Sequence, residues 1–449
     1  MSVMHRLRFW LRQVLYDLGA GLLLRPALIT LALAGLAVGL VDLEVRRPTG
    51  RPEGRFAWML LGEPSSAQAV LGTIAGSMMA VVSIVYSVLV MALSLASMQF
   101  SPRILGGFMR DRISQTTLGV FIGTFTYCLI VLRSVRSEPA FVPAVAVSGA
   151  IVLALLALGW LIFFIHHIAS GIQANSLVER IARETEQVID EVCPHPAVAT
   201  DAAAEVLPEA PADAVVVTAP RAGYIQLMSE DNLLALALAR GVTIKVTRAM
   251  GDFVPRGGEL ALMWPAASAD VGARAACAAA FDLGTARTMQ QDLEFGLRQI
   301  VDIGLKAISP AVNDPSTAAT CIDHLGHLLA HLATRESPAA LRELPRPGGG
   351  AARVVMRRHS FQRALDLAFN QLRQYGRTDM AVSIRMLRAL EEIAGATRAP
   401  ERLARVWHHG RLVVTACGKD FQPEDREELE LRLASLARAC GVEPPAPSG

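Results

Sequence analysis

The sequence has little charge and few aromatic side chains for its length. Asp, Glu, Lys and Arg make up 19% of the 449 residues, and Phe, Trp and Tyr make up 6%. The net charge of +2 provides no strong field of one sign, which argues against a nucleic-acid-binding protein. The six cysteines include no Cys-x-x-Cys pair, so neither a disulfide framework nor a thiolate metal site is expected. The hydrophobic content of 52% excludes an intrinsically disordered chain and exceeds that of ordinary soluble domains.

The sequence also lacks the common catalytic motifs. No Walker loop, Gly-x-Ser-x-Gly elbow, His-Glu-x-x-His pair or dinucleotide-binding glycine fingerprint occurs in it. A catalytic centre needs a nucleophile or base beside donors that stabilise the developing charge, and no segment supplies such a set. We therefore predict that the protein is not an enzyme, that it has no catalytic residue and that it uses no cofactor.

Four long stretches contain no charged residue, namely residues 26–41, 64–102, 113–132 and 139–178. A helix that crosses a bilayer needs about 20 mostly apolar residues, so each stretch predicts one span. We predict a transmembrane domain over residues 22–170, with helices at about 22–43, 69–98, 114–135 and 142–168. Residues 1–21 place apolar side chains on one helical face and arginines outside it, which predicts an interfacial amphipathic helix.

The arginines predict how these spans are oriented. Loops that stay in the cytoplasm retain positive charge. Nine arginines lie before the first span, between the second and third spans and after the fourth, against six on the opposite side. We therefore predict a multi-pass protein of the bacterial inner (cytoplasmic) membrane with both termini in the cytoplasm.

The second predicted span carries a regular series of serines. Ser83, Ser87, Ser94, Ser97 and Ser101 fall within about 40° of one line along the helix, at ~100° per residue. Such a face can line a hydrated pathway in an oligomer, because hydroxyls replace part of the water shell of an ion. Alternatively, small residues let transmembrane helices approach closely, and a serine can return its hydrogen bond to its own backbone. Both interpretations are open.

Three arginines, Arg103, Arg110 and Arg112, follow this span on the predicted cytoplasmic side. If the serines line a pathway, these arginines form its inner vestibule, because they lie at the cytoplasmic end of the same helix. A ring of positive charge at that end favours anions over cations.

The third predicted span contains a glycine pair. Gly119 and Gly123 form a Gly-x-x-x-Gly pair, for which close helix packing is the favoured interpretation.

The fourth predicted span ends with two histidines. His166 and His167 lie where this span leaves the bilayer. A proton relay and a hydrated pair at the membrane edge both fit that position, and we favour the hydrated pair.

The soluble half begins with a helical stalk and a linker rich in alanine and proline, which together cover residues 171–213. Residues 214–265 predict a small β module, in which Gly251 and Gly257 provide tight turns around Val254. This turn resembles one in biotinyl- and lipoyl-type half-barrels. Those carriers present a lysine on a distant hairpin, whereas Lys245 lies within a strand, so no covalent cofactor is expected.

Residues 285–335 predict a helical hairpin around a Ser-Pro-Ala-Val-Asn-Asp-Pro turn. A helix from 285 ends before Pro310, and Asp314 is the predicted N-cap of the next helix, with Pro315 at its first position. Asn313 and Asp314 are candidates for a small-ligand site or a subunit contact, although capping and turn geometry explain both residues. Residues 336–449 predict a helical C-terminal region with a flexible tail.

Several strings in these regions resemble a known family. They are residues 291–300 (QDLEFGLRQI), 308–318 (ISPAVNDPSTA), 98–103 (MQFSPR) and 223–226 (GYIQ). The strings resemble the signature of DUF2254, a family of predicted bacterial membrane proteins, and the resemblance covers most of residues 1–335. It implies four spans and a cytoplasmic region, and it brings no established activity or catalytic residue.

One histidine cluster is a weak candidate for a metal site. His324, His327 and His331 share one face of the helix after Asp314. Spacings of three and four can bring two imidazoles to one metal ion, but a site needs a further ligand that the sequence does not show. A polar face of an ordinary amphipathic helix is the simpler interpretation.

The predicted fold class is an α-helical polytopic membrane domain followed by a cytoplasmic α+β region with a small β module and a helical C-terminal part. One compatible function is an oligomeric channel or transport-like protein, in which the second spans line the axis and the cytoplasmic region regulates or assembles the complex. The other is a membrane-anchored scaffold or signalling protein whose soluble domain binds a partner without transport. Both predict contact with the lipid bilayer and none with nucleic acid, and the first predicts a homo-oligomer. Neither identifies a soluble partner or ligand.

Overall fold

The structure, a computed structural model, describes residues 24–46, 63–99, 111–138, 141–171, 174–193, 207–345, 351–417 and 421–444. For residues 95–99, 169–171 and 174 it describes the backbone alone. The described residues divide into two compact units before and after position 174, which we call the membrane unit and the C-terminal unit. The predicted interfacial helix at 1–21 and residues 194–206 of the predicted linker lie outside the described residues.

The membrane unit consists of four long apolar helices. They are α1 (Leu24–Arg46), α2 (Pro64–Gln99), α3 (Arg112–Ser134) and α4 (Ala144–Gly171). Each is long and apolar enough to cross a bilayer, so the four apolar helices predicted from the sequence are confirmed as helices. The largest boundary difference is at α2, which begins at Pro64 rather than at 69, because proline is well tolerated in the first turn of a helix.

Helix α3 is the central helix of the membrane unit and packs against α1, α2 and α4. Gly119 and Gly123 lie where it meets α1. A Cβ at Gly119 would be 2.9 Å from Cδ1 of Ile29, and a Cβ at Gly123 would be 2.7 Å from Cδ1 of Leu33. These distances leave no room for side chains, so the packing interpretation of this Gly-x-x-x-Gly pair is confirmed.

The C-terminal unit mixes helices and two small sheets. Its helices are α5 (Ala174–Val192), α6 (Glu230–Arg240), α7 (Val271–Ala278), α8 (Leu293–Ala307), α9 (Pro315–Ala333), α10 (Phe361–Gly376), α11 (Met380–Gly395), α12 (Pro400–Cys417) and α13 (Pro423–Ala439). Its strands are β1 (Val215–Thr218), β2 (Gly223–Met228), β3 (Thr243–Val246), β4 (Phe253–Val254), β5 (Glu259–Trp264), β6 (Phe281–Gly284), β7 (Leu341–Pro345) and β8 (Ala351–Val355). The strand orders are β1-β5-β3-β8-β7 and β4-β2-β6.

The two sheets share one hydrophobic core with α6 and α7. Leu233, Ile244 and Met263 are among its fully buried side chains. Gly251 and Gly257 both have φ +78°, a left-handed conformation that favours glycine, as the predicted turns require. Val254 between them is fully buried, so this turn contributes a side chain to the core.

The β structure extends beyond the module predicted at 214–265. Strand β6 pairs with β2, and the β7–β8 hairpin joins the larger sheet through a parallel pairing of β8 with β3, with Ile244 opposite Val354. The region 336–449 is therefore not helical throughout, because its first elements are the strands β7 and β8. Local periodicity cannot reveal a strand whose pairing partner lies far away in the chain.

The helices of the C-terminal unit begin where side chains cap them. The helix predicted from residue 285 begins at Leu293, because Oδ1 of Asp292 accepts the N–H of Phe295 at 3.0 Å and so caps it. The predicted stalk is, over Ala174–Val192, a helix whose buried face packs against α8 and α9. Helices α10 to α13 make up the predicted helical C-terminal part.

Candidate functional site

Three of the predicted pore-lining serines lie on the outer surface of the membrane unit. Ser83, Ser87 and Ser94 are exposed, and the exposed residues Gly72 and Gly76 continue their line toward the start of α2. A Cβ built on either glycine would have no atom within 4 Å. We call these five residues the α2 small-residue face. Among the residues that the structure describes, none from another helix covers it.

The serine hydroxyls on this face bond to the backbone of their own helix. Oγ of Ser83 donates to the carbonyl of Met79 at 3.2 Å, and Oγ of Ser87 donates to the carbonyl of Ser83 at 2.8 Å. A hydroxyl has one proton, so the remaining oxygen lone pairs are acceptors. The α2 small-residue face is therefore compatible with lipid, with a second helix and with water.

Helix α2 joins the membrane unit through a different face. The buried residues on this face recur at helical spacing and are Ala67, Leu71, Ala75, Met78, Val85 and Ala92. They belong to the apolar clusters that α2 forms with α3 and α4. Packing within one chain thus accounts for this apolar face, whereas the α2 small-residue face has no partner among the described residues.

The other candidates near this helix are only partly described. The side chain of Ser97 and the whole of Ser101, Arg103 and Arg110 lie outside the described residues. Arg112 is the first residue of α3, and its side chain is exposed.

The start of α3 holds a polar cluster that sequence reasoning missed. The carboxylate of Asp111 accepts the N–H of Ser114 at 2.9 Å and its hydroxyl at 2.6 Å. Nε2 of His167, from α4, lies 3.2 Å from both carboxylate oxygens of Asp111, whereas His166 is exposed. His167 therefore contacts Asp111, whereas His166 does not share this contact. The sequence signal for the contact was a lone aspartate at the start of the third span.

A second polar cluster lies at the opposite end of α4. Glu44 is 5% exposed, and its carboxylate accepts the N–H groups of Val145 at 2.8 Å and Ala146 at 3.2 Å. The hydroxyl of Tyr127 donates to the carbonyl of Ala146 at 2.8 Å. A carboxylate is stabilised at a helix N-terminus, where free N–H groups carry partial positive charge. Glu44 thus joins α1 to α4, a role that its position in the sequence did not predict.

In the C-terminal unit, buried charges surround the N-terminus of α8. Asp292 is 1% exposed, and its Oδ2 accepts Nε of Arg287 at 2.9 Å and Nη2 at 2.6 Å. A Cβ on Gly251 would overlap this same oxygen and the Arg287 guanidinium. Burial raises the pKa of Asp292 above its ordinary value, although the charge of Arg287 opposes this. The turn of the β module and the start of α8 therefore fit together because residue 251 is glycine.

Glu294 forms a second buried pair in the first turn of α8. It is 3% exposed, with Oε1 at 3.1 Å from Nδ1 of His359 and Oε2 accepting Nε of Arg363 at 2.9 Å. Burial alone would raise the pKa of Glu294, but the His359 and Arg363 interactions outweigh burial and hold it below its ordinary value. The pair ties α8 to the start of α10.

This arrangement predicts how acid affects the C-terminal unit. A carboxyl whose pKa is lower in the folded protein than in the unfolded protein stabilises the fold. This stabilisation is complete at a pH above the pKa of the unfolded state, here 4.5, and is lost as the pH falls through the lower pKa of the folded state. We therefore expect wild type to lose more stability than Glu294→Gln when the pH is lowered from neutrality to below 4.5. Asp292 is present in both chains, but the Glu294 charge contributes to its raised pKa, so the substitution also shifts the pKa of Asp292 downward. Hydrogen exchange of α8 and α10 measures the difference, and equal losses in both chains would contradict the assignment.

Helix α8 also contacts other elements of the C-terminal unit. Oε1 of Gln291 accepts the N–H of Met228 in β2 at 3.0 Å. A Cβ on Gly296 would overlap Oγ1 of Thr185, so α5 lies directly against α8 at this glycine. Residues 291–296 thus hold the β module, α5 and α10 together, as a structural junction with no exposed catalytic group among them.

The turn between α8 and α9 is explained by its own geometry. Asn313 has φ 49°, which asparagine tolerates better than most residues, and it is exposed. Asp314 caps α9 as predicted, since Oδ1 accepts the N–H of Thr317 at 3.1 Å and Oδ2 accepts its hydroxyl at 2.5 Å. These hydrogen bonds lower the pKa of Asp314. The use of this turn as a ligand or subunit contact stays a prediction.

The three histidines of α9 face the acidic side of α5. Nε2 of His331 lies 2.8 Å from Oδ1 of Asp190, and Nε2 of His327 lies 3.6 Å from Oε1 of Glu186. Burial lowers the pKa of His324. In the part of the chain that the structure describes, no group of three or more His, Cys, Asp or Glu side chains is arranged to hold a metal ion. The histidines therefore serve helix pairing in this structure.

Comparison with known proteins agrees with this architecture. The profile of DUF2254, described as a predicted membrane protein, matches residues 20–392. The chain belongs to the DUF2254 family. Uncharacterised proteins from Mycobacterium bovis and from two strains of Mycobacterium tuberculosis are each 35% identical to it over 392 residues, which is 86% of this chain and 74% of each relative. No solved structure matches the chain.

Membership of DUF2254 confirms a membrane protein and brings no chemistry with it. Two of the strings that carry the resemblance have structural roles in this DUF2254 protein. Residues 291–300 supply the junction at α8, and residues 308–318 form the capped turn before α9. Two long parts of the signature are thus explained by folding of the C-terminal unit.

Proposed function

We propose that this DUF2254 protein is an oligomeric channel or transport-like protein of the bacterial inner membrane, in which copies of α2 surround a central axis. The observation that carries the proposal is the α2 small-residue face, which extends from Gly72 to Ser94 and is not covered by any other described residue of the chain. Small residues are where transmembrane helices approach each other most closely. A second copy of the chain is therefore the occupant that this face fits best.

The hydroxyls on this face favour a hydrated axis over a purely apolar contact. The Oγ atoms of Ser83 and Ser87 keep their acceptor lone pairs, and oxygen acceptors can replace part of the water shell of an ion. In the proposed orientation both termini are cytoplasmic, because nine arginines lie on that side against six on the other. Arg112, with Arg103 and Arg110, then lies at the cytoplasmic end of the axis, and the C-terminal unit regulates or assembles the complex.

The test is to purify the protein in nanodiscs, determine its oligomeric state by mass photometry, and measure ion flux after reconstitution. Ser87→Trp places a bulky side chain on the α2 small-residue face and is expected to reduce flux by about tenfold or more. Ile84→Trp is the matched control, because Ile84 is 60% exposed and lies roughly 90° around the helix from the centre of the face. It should leave flux unchanged.

A monomer, or an oligomer that conducts no ions, would contradict the proposal. It would support the scaffold or signalling function, in which the four helices anchor the C-terminal unit and a soluble partner binds to it. Equal loss of flux in Ser87→Trp and Ile84→Trp would show that the tryptophan disturbs the membrane unit as a whole, and the axial position of the α2 small-residue face would then be wrong.

A further inference from the structure

Helix α3 is both the most enclosed and the most polar span of the membrane unit. Ser114, Gln115, Thr117, Thr124 and Tyr127 are all buried, at 4% exposure or less. Polar side chains within a membrane are kept in the protein interior, and they often mark the route of a proton or an ion. The buried polar side chains of α3 follow the helix from its first turn to beyond its middle.

Thr124 differs from the other threonines of this helix. The hydroxyls of Thr116, Thr117 and Thr126 each donate to the carbonyl four residues earlier, at 2.7, 2.7 and 2.8 Å. The hydroxyl of Thr124 is fully buried and has no hydrogen-bond partner among the residues that the structure describes. A buried hydroxyl without a partner is unfavourable, because it loses its hydrogen bonds to water and gains none in the protein. Its position near the middle of α3 therefore points to a further polar ligand.

Titratable groups lie on either side of Thr124 along the helix. Toward the start of α3, Thr117 accepts Nε1 of Trp160 at 2.9 Å, and nearly two turns earlier lies the Asp111–His167 pair. In the other direction Tyr127 donates to the carbonyl of Ala146, and Glu44 accepts the N–H of the same residue, so the Tyr127 hydroxyl and the Glu44 carboxylate lie at one site without a direct hydrogen bond. At 1.5 Å per residue, Thr124 lies about 10 Å from Thr117 and about 4.5 Å from Tyr127 along the axis.

We propose that these groups form a proton path inside each membrane unit, with Thr124 as the relay in the middle of the membrane. A hydroxyl can accept a proton on its oxygen while it passes its own proton onward, so Thr124 is unchanged after each transfer. The carboxylates of Asp111 and Glu44 and the imidazole of His167 take up and release the proton at the two ends. The path requires about three water molecules at hydrogen-bond spacing between Thr117 and Thr124. It also requires water between Tyr127 and Glu44, because the peptide group of Ala146 does not pass a proton from its carbonyl to its N–H. A proton gradient across the membrane drives the transfer, and no other reactant is needed.

This path is separate from the axis proposed for the α2 small-residue face, because it lies within one copy of the chain. Thr124 is on the buried side of α3, whereas Ser83, Ser87 and Ser94 are on the exposed side of α2. The proton path and the α2 axis can therefore be tested, and contradicted, independently of each other. Ser87→Trp should leave proton flux unchanged.

The test measures proton flux into liposomes that contain a pH-sensitive dye, driven by a potassium gradient and valinomycin. Thr124→Val removes the hydroxyl and keeps the shape of the side chain, and it is expected to reduce proton flux by about tenfold or more without lowering the melting temperature. Thr126→Val is the matched control, because that hydroxyl is already bonded within the helix. Thr124→Ser restores a hydroxyl and should restore flux.

Three results would overturn the proposal. They are proton flux through wild type no higher than through empty liposomes, full flux through Thr124→Val, and an equal loss in Thr124→Val and Thr126→Val. Should Thr124→Val also melt at a lower temperature, Thr124→Ser decides between a relay and a packing role, because only a relay predicts that the hydroxyl recovers flux.

Discussion

Replacing Gly251 with alanine is expected to lower the free energy of unfolding of the C-terminal unit by about 4 kcal/mol or more. The left-handed conformation at φ +78° costs a residue with a β-carbon roughly 1–2 kcal/mol. In addition, the new Cβ would overlap Oδ2 of Asp292 and displace the buried pair of Asp292 with Arg287, and disruption of such a pair costs about 3–5 kcal/mol. Urea unfolding of the full chain in detergent, followed by hydrogen exchange in α8, measures the loss.

Gly257→Ala is the matched control for this experiment. Gly257 has the same φ of +78°, but a Cβ there would have no atom within 4 Å. The control should therefore show the backbone cost of roughly 1–2 kcal/mol and nothing more. If both substitutions cost the same, the contact of Gly251 with Asp292 does not stabilise the junction at α8.

Replacing Gly123 with leucine is expected to separate α1 from α3 and to destabilise the membrane unit by about 3 kcal/mol or more. The first added carbon would already lie 2.7 Å from Cδ1 of Leu33 and 3.3 Å from Cα of Thr30. Helices in a bilayer gain little from hiding apolar surface from lipid, so close packing at small residues is a main source of their association. Thermal unfolding in nanodiscs, with protease cleavage near α1 as a second readout, measures the effect.

Gly159→Leu provides the comparison within the same unit. A Cβ at Gly159 in α4 would have no atom within 4 Å, so a larger side chain there extends into the surroundings of the helix. We expect its melting temperature to stay close to that of wild type. A loss as large as that of Gly123→Leu would mean that a leucine in place of any membrane glycine is harmful, and the specific α1–α3 contact would lose its support.

Much of the membrane unit could be predicted because the relevant signals are local. A span is recognised from its length and from the absence of charge, and neither property depends on which helices are neighbours. The same holds for Asp314, whose capping role follows from the helix and the proline directly after it. The turn around Val254 was predictable for the same reason, since two glycines at close spacing permit left-handed conformations wherever the turn lies in the fold.

The polar junctions of both units could not be predicted in this way. Glu44 gains its role from the N-terminus of α4, and Asp111 gains part of its role from His167, which lies on a helix far away in the chain. Strand β8 was missed because its place in the sheet depends on the parallel pairing with β3. In each case the role depends on a contact between two segments that lie far apart in the chain, so neither segment predicts it alone.

The glycines of the membrane unit show where sequence information ends. Gly119 and Gly123 in α3 and Gly72 and Gly76 in α2 are both Gly-x-x-x-Gly pairs on apolar helices, and their spacing makes them equivalent as sequence patterns. Helix periodicity determined that each pair lies on one face, because that follows from 3.6 residues per turn. Only the tertiary structure decided that α1 covers the first pair, whereas no described residue from another helix covers the second. The physical reason is that a face is defined by its own helix, whereas burial of that face depends on which other helix packs against it.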